Sequence, residues 1–198
     1  MEEVFSFLVA SVLLTLSPGP DLLMVIGQSM EKGFRTAFIF VLGLVTGLSG
    51  HTLFLVIGWS QFIGERPNIV RMVKGVGFVY FLFLGVGAIR QHFTKARSIQ
   101  PRLLSVQKSF GQGLFMSLIN PKVSLFFWLF FPGFLFNDQW TIAAQHSFLG
   151  GLFMMQALVV FGSVAYFSSS FKKFFLEQPM ALYTGLIWIA LGLYLLFD

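Results

Sequence analysis

A proline-rich motif with one acidic residue interrupts the first apolar segment of the chain. The stretch LSPGPD, residues 16–21, contains Pro18, Gly19, Pro20 and Asp21. A proline inside a helix removes a backbone hydrogen bond and clashes with the preceding turn. If this segment crosses a bilayer, the freed backbone groups need protein or water as partners. The motif therefore predicts a broken helix beside a polar site.

A second interruption, this time with a basic residue, lies near the middle of the chain. The stretch INPK, residues 119–122, contains Asn120, Pro121 and Lys122. Asp21 and Lys122 are the two charged residues that fall deep within apolar runs. An ionised group at such a depth costs at least about 2.5–3.5 kcal/mol. We therefore expect both to face a shared interior, where they could pair with each other.

Two broken helices expose backbone groups that suit a zwitterion. A half-helix starting near Pro20 presents free N–H groups and a positive dipole end, whereas one ending near Ser17 presents free carbonyls. A substrate carboxylate could bind the N–H end or Lys122, and an ammonium could bind Asp21 and the carbonyl end. Discontinuous helices build substrate sites in this way. We favour a transport site over a kink with a structural ion pair, and Asn120 as a brace of the second break.

The composition indicates an integral membrane protein. The chain has 198 residues with a mean hydropathy of +0.81, and only 11% of its residues are charged, against about 25% in soluble domains. The net charge of +5 comes from basic residues in short gaps between apolar runs, which indicates topology signals rather than nucleic-acid binding. Cysteine is absent and no cluster of metal ligands is evident, so we expect neither a metal nor a bound cofactor.

Apolar runs predict an all-α fold with six transmembrane helices, of which the first and fourth are broken. We treat residues 1–198 as a single membrane domain, made of half-repeats at about 1–95 and 105–198 and joined by a basic loop at about 91–109. Three helices per half make the second half enter the membrane from the opposite side, as in an inverted repeat. The predicted spans are about 4–26, 37–58, 72–90, 111–136, 147–169 and 180–197.

Lysine and arginine are more frequent on one side of the predicted spans than on the other. This bias favours a multi-pass protein of the inner membrane with both termini outside. The opening Met1-Glu2-Glu3 is acidic, so we interpret residues 4–26 as a retained helix rather than a signal peptide. The residues assigned to the cytoplasmic side are Lys32, Arg35, Arg90, Lys95, Arg97, Arg102, Lys108, Lys172 and Lys173, and those opposite are Arg66, Arg71 and Lys74.

Several residues in the other spans have a structural and a functional interpretation. His51 in the second span is a candidate proton carrier because an imidazole titrates near neutral pH, or else a hydrogen-bonded packing residue. Gln156 in the fifth span is expected to hydrogen-bond between helices. Glycines at close spacing are expected to let helices approach closely; they are Gly43, Gly47 and Gly50 in the second span and Gly75, Gly77, Gly85 and Gly87 in the third.

The two motifs together resemble the LysE/RhtB family of amino-acid exporters. The family's Pro-Gly-Pro-Asp motif corresponds to residues 18–21, and its Asn-Pro-Lys motif corresponds to residues 120–122 within GLFMSLINPKVSLFFWLFFPGF. The resemblance implies proton-driven efflux of amino acids or related small metabolites, in a branch that handles neutral or hydroxylated amino acids. It departs at Phe131-Pro132-Gly133-Phe134, where a polar residue often replaces the glycine, and a homo-oligomer is compatible with it.

A passive channel and an intramembrane protease are alternative functions for this sequence. A passive channel would use Asp21 and Lys122 as selectivity charges, and the sequence barely separates it from a coupled transporter. The stretch Gly47-Leu48-Ser49-Gly50 matches the nucleophile pattern of rhomboid-type intramembrane proteases. A serine nucleophile needs a base within hydrogen-bond reach, and the sixth predicted span contains no histidine. We therefore do not expect an enzyme.

Overall fold

The computed structural model is helical, without strands, in the residues that it describes. These residues are 2–17, 19–59, 67–94, 108–168 and the short pieces 182, 185–186, 188–190 and 192–193. Within them, two helices are long and apolar enough to cross a membrane, and two bent helix pairs bring the number of candidate spans to four if each pair is one span. Pro18, most of the sixth predicted span and much of the basic loop lie outside the described residues.

The first bent pair consists of α1 (Glu2–Leu16) and α2 (Pro20–Lys32), which meet at an angle of 57°. Pro20 occupies the first turn of α2, where its missing N–H would have had no partner within the helix. The break thus lies within the predicted interval, but α2 extends to Lys32 instead of ending near residue 26. Gly33 adopts a φ of +81°, which glycine tolerates readily, and this one residue turns the chain into the next helix.

Helices α3 and α4 correspond to the second and third predicted spans. Helix α3 (Phe34–Phe54) continues as a π-helical turn over Leu55–Trp59. Helix α4 (Pro67–Thr94) is longer at both ends than the apolar run that predicts it, because its terminal turns are polar and charged.

The second bent pair consists of α5 (Ser109–Ile119) and α6 (Pro121–Leu125), which meet at Asn120. A π-helical turn at Phe126–Phe130 and a 3₁₀ turn at Phe131–Phe134 extend α6. The angle between α5 and the extended segment is 47°. Both helix breaks therefore occur where the sequence predicts them.

Helix α7 (Ile142–Tyr166) is unbroken and packs against α1 and α3. Thr141 caps its first turn by accepting a hydrogen bond from the backbone N–H of Ala144 at 3.2 Å. The helix therefore begins about one turn before the predicted fifth span, because a capped polar turn precedes the apolar run.

Helix α3 lies in contact with α5, α7 and α2, and its contact with α5 is the most extensive. A Cβ atom added at Gly43 would collide with the carbonyl oxygen of Phe110, and one at Gly113 would collide with that of Phe40. The backbones of α3 and α5 therefore touch, and the expected role of Gly43 in close helix approach is confirmed.

The packing expectation holds for several of the other glycines but not for all. Gly47 and Gly50 abut α5 at Ser117 and Leu118, and Gly85 abuts the backbone of Gly185, which lies 2.8 Å from a Cβ added at Gly85. No such contact occurs at Gly75 and Gly87 among the described residues, where an added Cβ meets no atom within 4 Å.

We predict that Gly113→Ala lowers the free energy of unfolding by about 1–3 kcal/mol, the usual cost of overpacking. The added methyl group would force α5 away from the backbone of α3 at Phe40. The measurement is the apparent melting temperature of the purified protein in detergent.

Gly111→Ala on the same helix is the matched control. An added Cβ there meets nothing within 4 Å, so the change should stabilise the protein by up to about 1 kcal/mol through the unfolded chain. Equal melting temperatures for the two variants would contradict the close contact between α3 and α5.

Candidate functional site

The two helix breaks lie against each other, and each supplies polar partners to the other. The side-chain amide of Asn120 donates a hydrogen bond to Oδ2 of Asp21 at 2.5 Å. The Lys122 ammonium donates to the backbone carbonyl of Ser17 at 2.9 Å. Residues that are about a hundred positions apart in sequence therefore form one buried polar cluster, which we call the crossed-break site: Ser17, Asp21, Asn120 and Lys122.

Asp21 lies in the first turn of α2 and is 4% exposed. A carboxylate is favoured there because the free N–H groups of the first turn give that helix end a partial positive charge. Its Oδ1 atom is buried and has no hydrogen-bond partner within the described part of the chain. One carboxylate oxygen is thus held by Asn120, and the other has no partner among the described residues.

Lys122 is 5% exposed and places its ammonium at the carboxyl end of α1. The unpaired carbonyls of a helix end favour a cation, so Lys122 provides a hydrogen-bond donor to the carbonyl end of the first break. Gly19 leaves room for this approach, because a Cβ at that position would lie in tight contact with Nζ, at 3.3 Å. Nζ also lies 5.4 Å from the centre of the Trp188 ring, within cation–π range.

Asn120 caps α6 and joins the two breaks at the same time. Its Oδ1 accepts a hydrogen bond from the backbone N–H of Lys122 at 3.0 Å, while its amide binds Asp21. No direct ion pair between Asp21 and Lys122 occurs among the described residues. Each charge instead binds a polar group at the other break, so the possible pairing suggested by the sequence is replaced by two crossed hydrogen bonds.

A small cavity of about 20 Å³ adjoins the crossed-break site. That volume is roughly what one water molecule needs. Its wall combines the two charged side chains with hydroxyl and apolar groups. The lining residues are Leu14, Thr15, Asp21, Leu44, Leu48, Ser117, Lys122, Val123 and Phe161.

His51 and Gln156 brace the two helices that precede the breaks. His51 is buried, and its Nε2 lies 3.1 Å from the carbonyl oxygen of Ser117 near the end of α5. Gln156 on α7 donates to the hydroxyl of Thr15 near the end of α1 at 3.0 Å, which confirms the expected hydrogen bond between helices. His51 does not line the cavity, so it lies beside the site rather than in it.

The protease-like serine has a structural partner. The Ser49 hydroxyl is exposed and donates to the carbonyl of Thr46 at 2.6 Å. The neighbouring His51 is engaged by Ser117 on another helix. Ser49 and His51 therefore do not form a nucleophile and base.

The other motif residues shape the breaks. Pro20 and Pro121 each begin a helix, and Gly19 admits Lys122, whereas Pro18 lies outside the described residues. Sequence reasoning did not identify Trp188 or Ser117 as parts of the site. Trp188 sits in an apolar run like other aromatic residues, and Ser117 is one of two serines in α5, so neither has a distinguishing local signal.

These features define a class: a helical membrane protein with a buried polar site built from two interrupted helices. A family model described as "LysE type translocator" matches residues 12–198. The chain therefore belongs to the LysE family. Members of this family are translocators, so the chain is a membrane transport protein rather than an enzyme.

Curated relatives agree with the family assignment. The chain is 30% identical to the homoserine/homoserine lactone efflux protein of Salmonella typhimurium, over 79% of this chain and 75% of the relative. It is 26% identical to the leucine efflux protein of the same organism, over 72% of this chain and 66% of the relative. An uncharacterized membrane protein of Bacillus subtilis is 24% identical over 98% of both chains. No solved structure matches the chain.

We predict that Asn120→Ala destabilises the protein by about 3 kcal/mol or more. The change removes a helix cap, worth about 1 kcal/mol, and leaves the buried Asp21 carboxylate without its amide partner, which adds a desolvation penalty. The apparent melting temperature in detergent reports the loss.

Thr141→Ala is the matched control because Thr141 also caps a helix but is exposed. It should cost only about 1 kcal/mol. If both variants lower the melting temperature equally, the bond between Asn120 and Asp21 adds no stability.

Proposed function

We propose that this protein exports neutral amino acids or closely related metabolites from the cytoplasm by a proton-coupled mechanism. The observation that carries the proposal is the crossed-break site, where a carboxylate and an ammonium bind opposite breaks beside one cavity. A zwitterion offers the complementary pair of charges. Its ammonium would bind Asp21 and its carboxylate would bind Lys122.

Substrate binding would replace protein contacts with equivalent ones. The substrate ammonium takes the place of the Asn120 amide at Asp21, and the substrate carboxylate takes the place of the Ser17 carbonyl at Lys122. A hydrogen bond to a charged group contributes about 1.5–3 kcal/mol, so each exchange is nearly balanced. The site can therefore release the two breaks from each other without leaving a charge unpaired in the membrane.

The chemistry of the cavity wall supports a neutral substrate side chain. Beyond Asp21 and Lys122, the lining residues are apolar or carry a hydroxyl group. A further charge on the substrate would have no partner there, and such a charge is costly inside a membrane. Homoserine and leucine, which occur in the names of the relatives, are zwitterions with neutral side chains and fit a site of this kind.

Asp21 provides a means of coupling to protons. A buried carboxylate can be neutralised either by a proton or by the ammonium of a substrate, and the two compete for the same oxygen atoms. Movement of a proton into the cell on Asp21 would then return the empty transporter to the state that faces the cytoplasm. The brace between His51 and Ser117 supports the shape of the site in this scheme, with a proton-carrying role of His51 as the alternative.

We propose that the whole chain is one membrane domain of six helices, formed by inverted half-repeats at about 1–95 and 105–198. Equivalent contacts support this arrangement. His51 braces α5 while Gln156 braces α1, and Gly85 and Gly185 each approach the backbone of the other. The orientation suggested by the basic residues puts both termini outside the inner membrane, with the basic loop at about 91–109 in the cytoplasm.

The small volume of the cavity supports alternating access rather than a permanently open channel. A space of about 20 Å³ is too small for an amino acid, since it matches one water molecule. The helices must therefore move for any such substrate to pass. Rocking of one half-repeat against the other would open the site to each side in turn.

Different contacts close the two sides of the crossed-break site. Toward the end of α2, Gln28 donates to Gln112 at 3.1 Å and accepts from Ser109 at 3.4 Å. Toward the start of α1, the Phe7 ring packs edge-on against Phe131 at 4.9 Å between centroids. In the proposed orientation, the polar contact is the cytoplasmic gate and the aromatic contact is the outer gate.

We predict that Asp21→Asn and Lys122→Gln each reduce amino-acid transport by at least tenfold in proteoliposomes, because each removes one of the charges that would bind the substrate. The assay covers a panel of amino acids with and without an imposed proton gradient. Wild-type transport should depend on the gradient, whereas a passive channel would not show this dependence.

The exposed residues Asp138 and Lys108 provide matched controls. Asp138→Asn and Lys108→Gln make the same chemical changes away from the site and should transport like the wild type. Transport by the site variants at the rate of these controls would exclude the proposed site. A wild type that moves no amino acid would overturn the proposed function.

We predict that cross-linking either gate blocks transport reversibly. The chain has no cysteine, so Gln28→Cys with Gln112→Cys, or Phe7→Cys with Phe131→Cys, can be joined by a short reducible methanethiosulfonate cross-linker. Transport should stop on linking and return on reduction. Single-cysteine variants treated in the same way are the control, and full transport by a linked pair would contradict gating at that contact.

A further inference from the structure

We propose that the hydroxyl group of Ser117 forms a hydrogen bond with a polar atom of the substrate side chain and thereby recognises it. This assignment makes Ser117 a specificity-determining residue, and it rests on the proposed function. The site would then prefer a neutral amino acid with a side-chain hydroxyl over an aliphatic amino acid of the same shape.

The Ser117 hydroxyl is a buried polar group beside the cavity. Ser117 is 1% exposed and lines the cavity. Its Oγ atom has no hydrogen-bond partner in the described part of the chain, although helical serines nearby, such as Ser124, bond to a backbone carbonyl one turn earlier. Buried polar groups are nearly always paired, so a cavity occupant is the natural partner for this hydroxyl.

The neighbouring hydroxyl groups are already committed or lie elsewhere. Thr15 also lines the cavity, but its hydroxyl donates to the carbonyl of Ser11 and accepts from Gln156. The Ser17 hydroxyl is buried and unpaired in the described residues, but Ser17 is not part of the cavity wall. Among the residues of this wall, Ser117 therefore carries the hydroxyl that has no partner in the described part of the chain.

Two contacts hold Ser117 in place. Gly47 leaves room for its side chain, because a Cβ at position 47 would lie 2.7 Å from the Ser117 hydroxyl oxygen. The carbonyl of Ser117 is engaged by His51 at 3.1 Å. A hydroxyl held between two helices can distinguish a polar substrate atom from a methyl group, since the methyl group would leave it unpaired.

The remaining wall fits an aliphatic stem. Leu44, Leu48, Val123 and Phe161 provide apolar surface around Ser117. The charged groups of the substrate are taken by Asp21 and Lys122 in the proposed function. One hydroxyl among apolar neighbours therefore defines a substrate with a single polar atom on an otherwise hydrocarbon side chain.

The test compares substrate pairs of nearly equal shape in proteoliposomes containing the full chain. The pairs are homoserine with norvaline and threonine with valine, and the readout is the ratio of kcat/KM within each pair. Wild type should favour the hydroxylated member. Ser117→Ala should reduce that preference by about tenfold, the size of one lost neutral hydrogen bond, with the aliphatic member transported as well as before or better.

The ratio does not depend on the amount of active protein, so partial misfolding cannot mimic the result. Ser117→Cys, which keeps the size and a weaker donor, should give an intermediate ratio. Ser147→Ala is the matched control, because Ser147 is exposed and its hydroxyl donates to the carbonyl of Ala143; it should keep the wild-type ratio.

Three outcomes would overturn the assignment. Equal losses for both members of each pair in Ser117→Ala would show a purely structural role and would leave the proposed export function intact. A wild-type kcat/KM ratio near one would exclude recognition of the substrate hydroxyl by Ser117 and would also leave the proposed export function intact. Failure of the wild type to transport any of the four amino acids would remove the proposed function and this assignment with it.

Discussion

The architecture depends on the two crossed hydrogen bonds by which each helix break satisfies the other. A broken helix in a membrane leaves backbone groups that lipid cannot satisfy, and a buried charge is costly when alone. Here the Lys122 ammonium binds the carbonyl end of α1, and Asn120 binds the Asp21 carboxylate at the start of α2. Neither break is satisfied in this way without the other, so the two bent helix pairs must fold as a unit.

Close helix packing makes those bonds possible. The contacts of Gly43 with Phe110 and of Gly113 with Phe40 bring the backbones of α3 and α5 together, and this holds α5 so that Asn120 meets Asp21. Gly19 then admits the Lys122 amine. Glycine at a few positions therefore contributes to the site as much as the charged residues do. The short distances between polar atoms require helix backbones with no side chain between them.

Local chemistry determined what could be predicted from the sequence. The prolines located both breaks, because their effect on a helix does not depend on the rest of the fold. The extent of α2 to Lys32 could not be read from hydropathy, since the polar Gln28 is buried with hydrogen-bond partners on α5, Gln112 and Ser109. The hydrogen-bond partners of Asp21 and Lys122 could not be predicted from the sequence either. Pairing Asp21 with Lys122 is the simplest expectation for two opposite charges, whereas the actual partners depend on how the helices approach.

The bond from Lys122 to the Ser17 carbonyl also bears on molecules that resemble only half of a substrate. A simple amine could displace Asn120 from Asp21 but would leave Lys122 fastened to α1, and a simple carboxylic acid could do only the reverse. Either molecule would break one of the two crossed hydrogen bonds while the other remained. Under the proposed mechanism, a molecule that engages only one of the two charged residues binds without being transported, so it would act as an inhibitor rather than as a substrate.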